Sequence, residues 1–412
     1  MLEIPRRAED ITRAGVDFTH RKLVHPWLTR GEAQKDRETA HERALTAMEW
    51  VQNHDNVMSA FKRFFPYRDQ ILETTVGDWD IPNPLGIAAG FDKNARAHHF
   101  LGEGLGFGLV TVGSVTKVRY DGNTRPRIFD LPNNDGLINR MGFPGDGTDA
   151  VEERLIDDLF DKGIAQSYIL FLSIAASKPS FDAGTAIEDY FAAAKQMWRY
   201  GRAHEINVSS PNTPGVKGLQ EPDVFRDLAQ TLKPLYTFLD GTPRKPLFYK
   251  FSPDLPKEKL EEDIKTAIDN GATGISVTNT TTVRAIEDPE TRELRELLGP
   301  DVHREEMGGI SGAPLREKAL EVSHQVFEMS GGKVQIKRAG GIQTAEDVWN
   351  ALTYGGATVV ETLTAFVRPN TSTPNFAHYI LRDLASAMRA YDMKSMGDFK
   401  DLSGKRVPFP KI

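Results

Sequence analysis

The chain has 412 residues, 39% of them hydrophobic and 26% charged, with a formal net charge of −7 and no cysteine. That length exceeds what one hydrophobic core usually serves, so a large domain with an appendage is expected. The acidic balance argues against nucleic acid as a partner, because phosphate binding needs a concentrated basic face. The missing cysteines exclude disulfides, thiolate nucleophiles and iron–sulfur ligation by this chain.

The first stretch, MLEIPRRAEDITRAG, lacks the apolar heart of a secretory signal. No segment approaches the roughly 20 apolar residues that span a bilayer. The expectation is a cytoplasmic protein, or one held peripherally on the cytoplasmic side of a membrane. TAHERALTAMEWVQ (39–52) reads as one helix and NVMSAFKRFF (56–65) as a second. Val57, Met58, Phe61, Phe64 and Phe65 crowd the apolar side of the second, flanked by Lys62 and Arg63. That side either packs on the rest of the protein or lies in a membrane interface.

From Pro82 onward, β-rich apolar runs alternate with helix-length amphipathic segments. The runs are 84–89, 107–114, 168–174, 205–210, 246–252, 273–278, 334–338 and 357–361. Helical patterns between them include AIEDYFAAAKQMWRYG, DVFRDLAQTLKPLYTFL and KLEEDIKTAIDNG. Eight strand–helix units imply an α/β fold, an eight-stranded parallel (β/α) TIM barrel with an N-terminal helical appendage; a doubly wound sheet is the competitor. The expected organisation is a helical segment over 1–78, a barrel over 79–390 and a tail over 391–412.

In such a barrel, chemistry gathers where strands end and loops begin. Lys93, Lys250 and Arg338 stand at those junctions, and two lysines at a barrel mouth suit an anionic or electron-accepting ligand. Gly340 and Gly341 follow the seventh run, where backbone N–H groups can meet a phosphate. Asn139, Asn207, Asn212 and Asn279 donate and accept at once, matching rings with alternating C=O and N–H groups, although asparagine also favours turns for purely structural reasons. Ser210 has no histidine near it in sequence and no GxSxG elbow, so a hydrolase triad is unsupported. A serine can still relay a proton made acidic by an adjacent carbonyl.

Several stretches carry a resemblance: NPLGIAAGFDKN (83–94), PRIF (126–129), GLINRMGF (136–143), INVSSPNTPGVKGLQ (206–220), KFSPDL (250–255), TNTT (278–281), GGISGAPL (308–315) and AGGI (339–342). Together they resemble dihydroorotate dehydrogenases, specifically the class 2, quinone-linked, membrane-associated form. DRETAHERA (36–44) is similar to the opening of that class's N-terminal helical unit. The resemblance implies oxidation of dihydroorotate to orotate in pyrimidine biosynthesis, with FMN as cofactor, quinone as acceptor and Ser210 as base. Class 1 relatives use cysteine at that position. It implies no metal and no nucleic acid, and contact with a membrane surface through the N-terminal helices.

The implied substrate residues are Lys93, Asn139, Arg140, Met141, Gly142, Phe143, Asn207, Asn212, Asn279 and Thr280. The implied cofactor residues are Ala89, Gly90, Lys93, Ser114, Ser173, Asn207, Lys250, Thr278, Gly312, Gly340, Gly341, Leu363 and Thr364. This chain departs from the family pattern at Ser173, where a carboxamide is usual, and at Asp130, where an arginine is usual. It departs again at Arg338, Leu363 and Ala365. The alternatives are a related flavoprotein with another acceptor or substrate, or a flavin-less barrel with a binding role.

Overall fold

Runs of Val, Ile, Leu and Phe without polar alternation make strands where both faces are covered, as in a parallel sheet. A computed structural model describes residues 6–162, 166–213, 215–238, 241, 244–287, 294–368 and 373–411, and its central feature is a closed barrel. The barrel strands are β1 (Leu85–Ile87), β2 (Leu109–Val115), β3 (Ile169–Ile174) and β4 (Ala203–Asn207), followed by β5 (Leu247–Phe251), β6 (Gly274–Val277), β7 (Gln335–Ala339) and β8 (Val359–Thr362). All eight pairings are parallel, and β8 closes on β1 through Val360 against Leu85 and Thr362 against Ile87. Each strand lies within or beside an expected run. The fourth stops at Asn207 instead of 210, because the Asn207 side chain accepts from the Ser209 N–H (3.2 Å) and turns the chain.

The three helical patterns form Ala186–Met197, Pro222–Tyr236 and Lys257–Asp269. Residues 1–5, Leu239 and Ile412, which belong to expected elements, lie outside the described residues. Between strands and helices runs the main apolar core, which includes Ile87, Val112, Leu172, Ile206, Tyr249 and Val360.

Side chains alternate along a strand, so every second residue points into the barrel. At the bottom these are Leu109, Ile169, Phe171, Ala203, Phe248 and Val359, sealed by Val76 and Ile81 of a hairpin formed by Thr74–Val76 and Trp79–Ile81. One layer higher the interior becomes charged, with Glu205, Lys337 and Glu361 all buried. Over the mouth sits a three-stranded antiparallel sheet of Ile128–Leu131, Gly136–Asn139 and Gly309–Gly312, which the sequence reading did not anticipate.

The N-terminal region is helical, with α1 (Arg6–Thr19), α2 (Arg37–Gln52) and α3 (Asp55–Phe64) as its longest pieces. Asp36 caps α2 by accepting from the Glu38 N–H (3.0 Å). Ion pairs dock α2 to the barrel. Arg127 grips the Glu38 carboxylate through two bonds of 2.7 Å, and Arg96 reaches Glu42 (2.9 Å) and Glu49 (2.7 Å). The aromatic side of α3 is divided: Met58 is buried and Phe61 packs on Phe100, while Phe64 faces outward. The C-terminal tail returns over the barrel's flank, where Trp349 Nε1 donates to the Val407 carbonyl (2.9 Å) and Arg406 pairs with Glu321 (2.7 Å).

Arg127 and Glu38 are both almost fully buried, so removing one partner strands the other charge. Arg127→Gln is expected to destabilise the protein by about 3–5 kcal/mol, measured by urea unfolding, and to expose α2 to proteolysis. An unchanged unfolding midpoint would show that the pair does not hold the helices down.

Candidate active site

The C-terminal ends of the strands surround a cavity of about 330 Å³ whose far wall is built by the N-terminal helices. Asn207 comes from the end of β4, Lys250 from β5, and Thr278 and Asn279 follow β6. The antiparallel sheet adds Asn139 and Gly312 from above.

The four asparagines hold one another in place. Asn212 Nδ2 donates to Asn139 Oδ1 (3.2 Å), and Asn279 Nδ2 donates to Asn207 Oδ1 (3.3 Å) and Ser209 Oγ (3.1 Å). Asn207 Nδ2 in turn donates to Ser114 Oγ (2.8 Å), while Tyr190 holds the Asn207 backbone carbonyl (2.6 Å). Carboxamides fixed by neighbours meet a ligand in one orientation, which favours a ring with a set pattern of donors and acceptors.

Ser210 is buried on the loop after β4. Its Oγ accepts from the Asn212 N–H (3.3 Å) and lies 3.4 Å from Thr213 Oγ1. Lys93 lines the same cavity, where burial lowers its ammonium from the usual value against the opposing pull of Glu38 and Glu42. Opposite charges on α2 thus help keep a desolvated cation in the wall.

Of the residues singled out from sequence, Ala89, Gly90, Ser114, Met141, Gly142 and Phe143 line the cavity. So do Thr280, Gly340, Gly341, Leu363 and Thr364. Two expected residues do not. Arg140, one residue past the strand Gly136–Asn139, turns away to pair with Glu306 (2.8 Å) and stack over Phe129 (4.5 Å). Ser173 sits below the cavity, donating to Glu205 Oε1 (2.9 Å) and lying 3.0 Å from Ser114 Oγ.

Arg338 points outward from β7, where its guanidinium donates to the carbonyls of Arg316 (3.0 Å) and Gly340 (2.9 Å) and braces the glycine turn. Burial pushes its pKa down to about 10.

Sequence reasoning missed the residues at the helical end. His41 lines the cavity, and its Nε2 lies 2.7 Å from the Phe91 carbonyl, which fixes the proton on that nitrogen. Burial, reinforced by Lys93, lowers the His41 pKa to about 3, so the ring is neutral. His20, His25 and Arg37 also line this end, beside the apolar Leu28, Ala44 and Met48. Arg37 is ion-paired with Asp130. The DRETAHERA stretch holds both Arg37 and His41, but α1 and its continuation lack a pattern tying them to the barrel.

The chain matches the family profile described as dihydroorotate dehydrogenase over residues 71–388. It belongs to that family. A dihydroorotate dehydrogenase (quinone) of Mycobacterium sp. (strain KMS) is 34% identical over 362 residues, spanning 88% of this chain and 93% of the relative. That of Chloroflexus aurantiacus (strain ATCC 29366 / DSM 635 / J-10-fl) is 36% identical over 344 residues, with coverages of 82% and 89%. Among solved structures, ligand-free DHODH from Eimeria tenella superposes with a TM-score of 0.74 at 29% identity, covering 88% of this chain and 98% of that one. The ferulenol complex of DHODH from the same organism gives 0.73 at 28% identity. Dihydroorotate dehydrogenases are flavin-dependent.

Proposed function

We propose that this chain oxidises dihydroorotate to orotate in pyrimidine biosynthesis, with Ser210 as base, FMN as resident cofactor and a quinone as final acceptor. The observation that carries the reading is the convergence of Ser210, Lys93 and four asparagines, fixed in two pairs, on a cavity whose far end sets Leu28, Ala44 and Met48 beside His41 and Arg37. Its relatives do not favour a different acceptor or a flavin-less binding role.

The walls suit FMN. Gly312, Gly340 and Gly341 all have positive φ, and a Cβ at Gly341 would come within 2.4 Å of Arg316 Cα, so bare backbone forms that turn. Turns of this kind hold phosphates through N–H groups. At Gly90 a Cβ would meet only Leu363 Cδ1 at 3.7 Å, leaving room for a flat ring beside it. Lys250 brings a cation to the cavity wall, where it stabilises negative charge on an electron-accepting ring. FMN, when bound, supplies the electron acceptor for the C–H bond that breaks.

The asparagines orient the pyrimidine ring and Lys93 balances its carboxylate. Ser210 takes the proton alpha to the ring carbonyl while its own hydroxyl proton passes toward Thr213 Oγ1, which lies 3.4 Å away. Phe143 and Phe366 help keep bulk water from the reacting carbon.

At the helical end, Arg37 offers a quinone carbonyl a guanidinium that Asp130 holds in place. The division of labour is therefore an acceptor- and membrane-facing unit over 1–78, a reacting barrel over 79–390 and a bracing tail over 391–412. No helix of the described residues is long and apolar enough to cross a membrane. Phe18, Leu23, Val24 and Trp27 are nevertheless exposed on the N-terminal helices, with Arg21 and Lys22 among them. Apolar side chains mixed with cations suit the interfacial layer of a bilayer carrying anionic lipid.

Ser210→Ala is expected to keep FMN and slow flavin reduction by dihydroorotate by roughly 10²–10⁴-fold in anaerobic stopped flow, the usual worth of a positioned base. Near-normal reduction would remove Ser210 from the mechanism. Asp130→Arg should set two guanidiniums side by side and lower quinone turnover, while the exchange Arg37→Asp with Asp130→Arg restores it. Equal turnover in all three proteins would take the pair out of the acceptor site. In vesicle sedimentation, Phe18→Ser with Leu23→Ser and Trp27→Ser should abolish binding to anionic liposomes. Retained binding by that triple variant would sink the membrane contact.

A further inference from the structure

The interior of a (β/α) barrel is ordinarily filled by layers of branched apolar side chains. Here the layer under the cavity holds four charges. Lys337 Nζ donates to Glu361 Oε1 (2.8 Å) and Thr111 Oγ1 (3.1 Å) and forms an ion pair with Glu205 Oε2 at 2.8 Å. Its ammonium also sits 4.6 Å over the Phe171 ring. Lys250 Nζ is 3.6 Å from the other Glu205 oxygen. Burial by itself would push the Glu205 carboxyl up, yet Lys250 and Lys337 hold it well below its ordinary value. Lys337 is held above its own by Glu205 and Glu361, although burial opposes this. The cluster thus brings two lysines and two glutamates together.

Stability does not call for such a cluster. Replacing buried ion pairs by apolar side chains is often neutral or stabilising, because desolvation offsets the attraction. What distinguishes this cluster is its connection upward. Ser173 donates to Glu205, so Ser114 must donate to Ser173, and Ser114 accepts from Asn207. Every bond in the relay points toward one carboxylate, whose charge polarises the chain as far as Asn207. Glu361 and Lys250 reach the cavity floor itself.

We infer that Glu205, Lys337 and Glu361 form a built-in counter-charge that sets the reduction potential of the flavin bound above them, with Glu205 acting as a positioning residue through Lys250 and the serine relay. The inference rests on the FMN reading given above. Reduction adds negative charge to the flavin, so each carboxylate beneath it opposes reduction and each ammonium favours it.

The test is spectroelectrochemical titration of the FMN-loaded, full-length protein. Glu205→Gln and Glu361→Gln should each shift the reduced-to-oxidised ratio at a given potential at least tenfold toward reduced flavin, about 30 mV for a two-electron couple. Lys337→Gln should shift it the other way. The double variant Glu205→Gln with Lys337→Gln should return near the unaltered protein, a sign pattern that loosened packing does not produce. Should a variant at Glu205 or Lys337 fail to fold, Glu361→Gln is nearly isosteric, lies at the cavity floor and decides alone. Unchanged potentials, or shifts of one sign in all variants, overturn the inference and leave the flavin reading intact. A purified chain with no flavin spectrum and no uptake of added FMN overturns both.

Discussion

Eight parallel strands that close on themselves must all leave the barrel at the same end, and the rest of this molecule follows from that constraint. Residues more than 200 positions apart, such as Lys93 after β1 and Thr364 after β8, meet at one rim because their strands share a direction. The site is therefore assembled by β-sheet register. A slip of one residue in any strand would turn its inward side chain outward and remove it from the mouth.

Closure also creates an interior that water does not reach, and the chain fills it in graded fashion. Aromatic and branched side chains pack the bottom, where Phe171 and Phe248 meet edge to face at 5.2 Å. Charges occupy the middle, and amides and hydroxyls occupy the top. In a low-dielectric space an unpaired charge is costly, so the middle layer sets lysines against glutamates. That arrangement lets charge lie close beneath the reacting cavity without unfolding the barrel.

The N-terminal helices complete the cavity but dock largely through ions. Glu38, Glu42 and Glu49 face Arg127 and Arg96, and Arg37 faces Asp130. Polar docking at these points leaves the apolar residues Leu28, Ala44 and Met48 free to line the cavity. The same helices turn Phe18 and Trp27 to the outside. One short unit thus serves as wall and outer surface, with its ion pairs deciding which face does which.

The sequence by itself determined the barrel, because alternation of buried strand runs with amphipathic helices is a local pattern. It also determined much of the candidate site, since Asn207, Lys250 and Asn279 sit at or just past barrel strand ends, with Ser210 on the loop after β4, and strand ends in a parallel barrel share one rim. Only the tertiary structure decided which way each side chain points. Arg140 turns outward to Glu306 and the pleat of β3 drops Ser173 below the cavity, and neither outcome is visible from neighbours in sequence. Glu205 and Glu361 did break otherwise apolar runs, a local anomaly, but their partners Lys337 and Lys250 come from other strands. The Arg37–Asp130 pair joins residues 93 positions apart through the docking of a helix whose sequence carries no barrel periodicity. Local pattern encodes elements and their ends, whereas pairing between distant charges exists only once closure has brought them within a few ångströms.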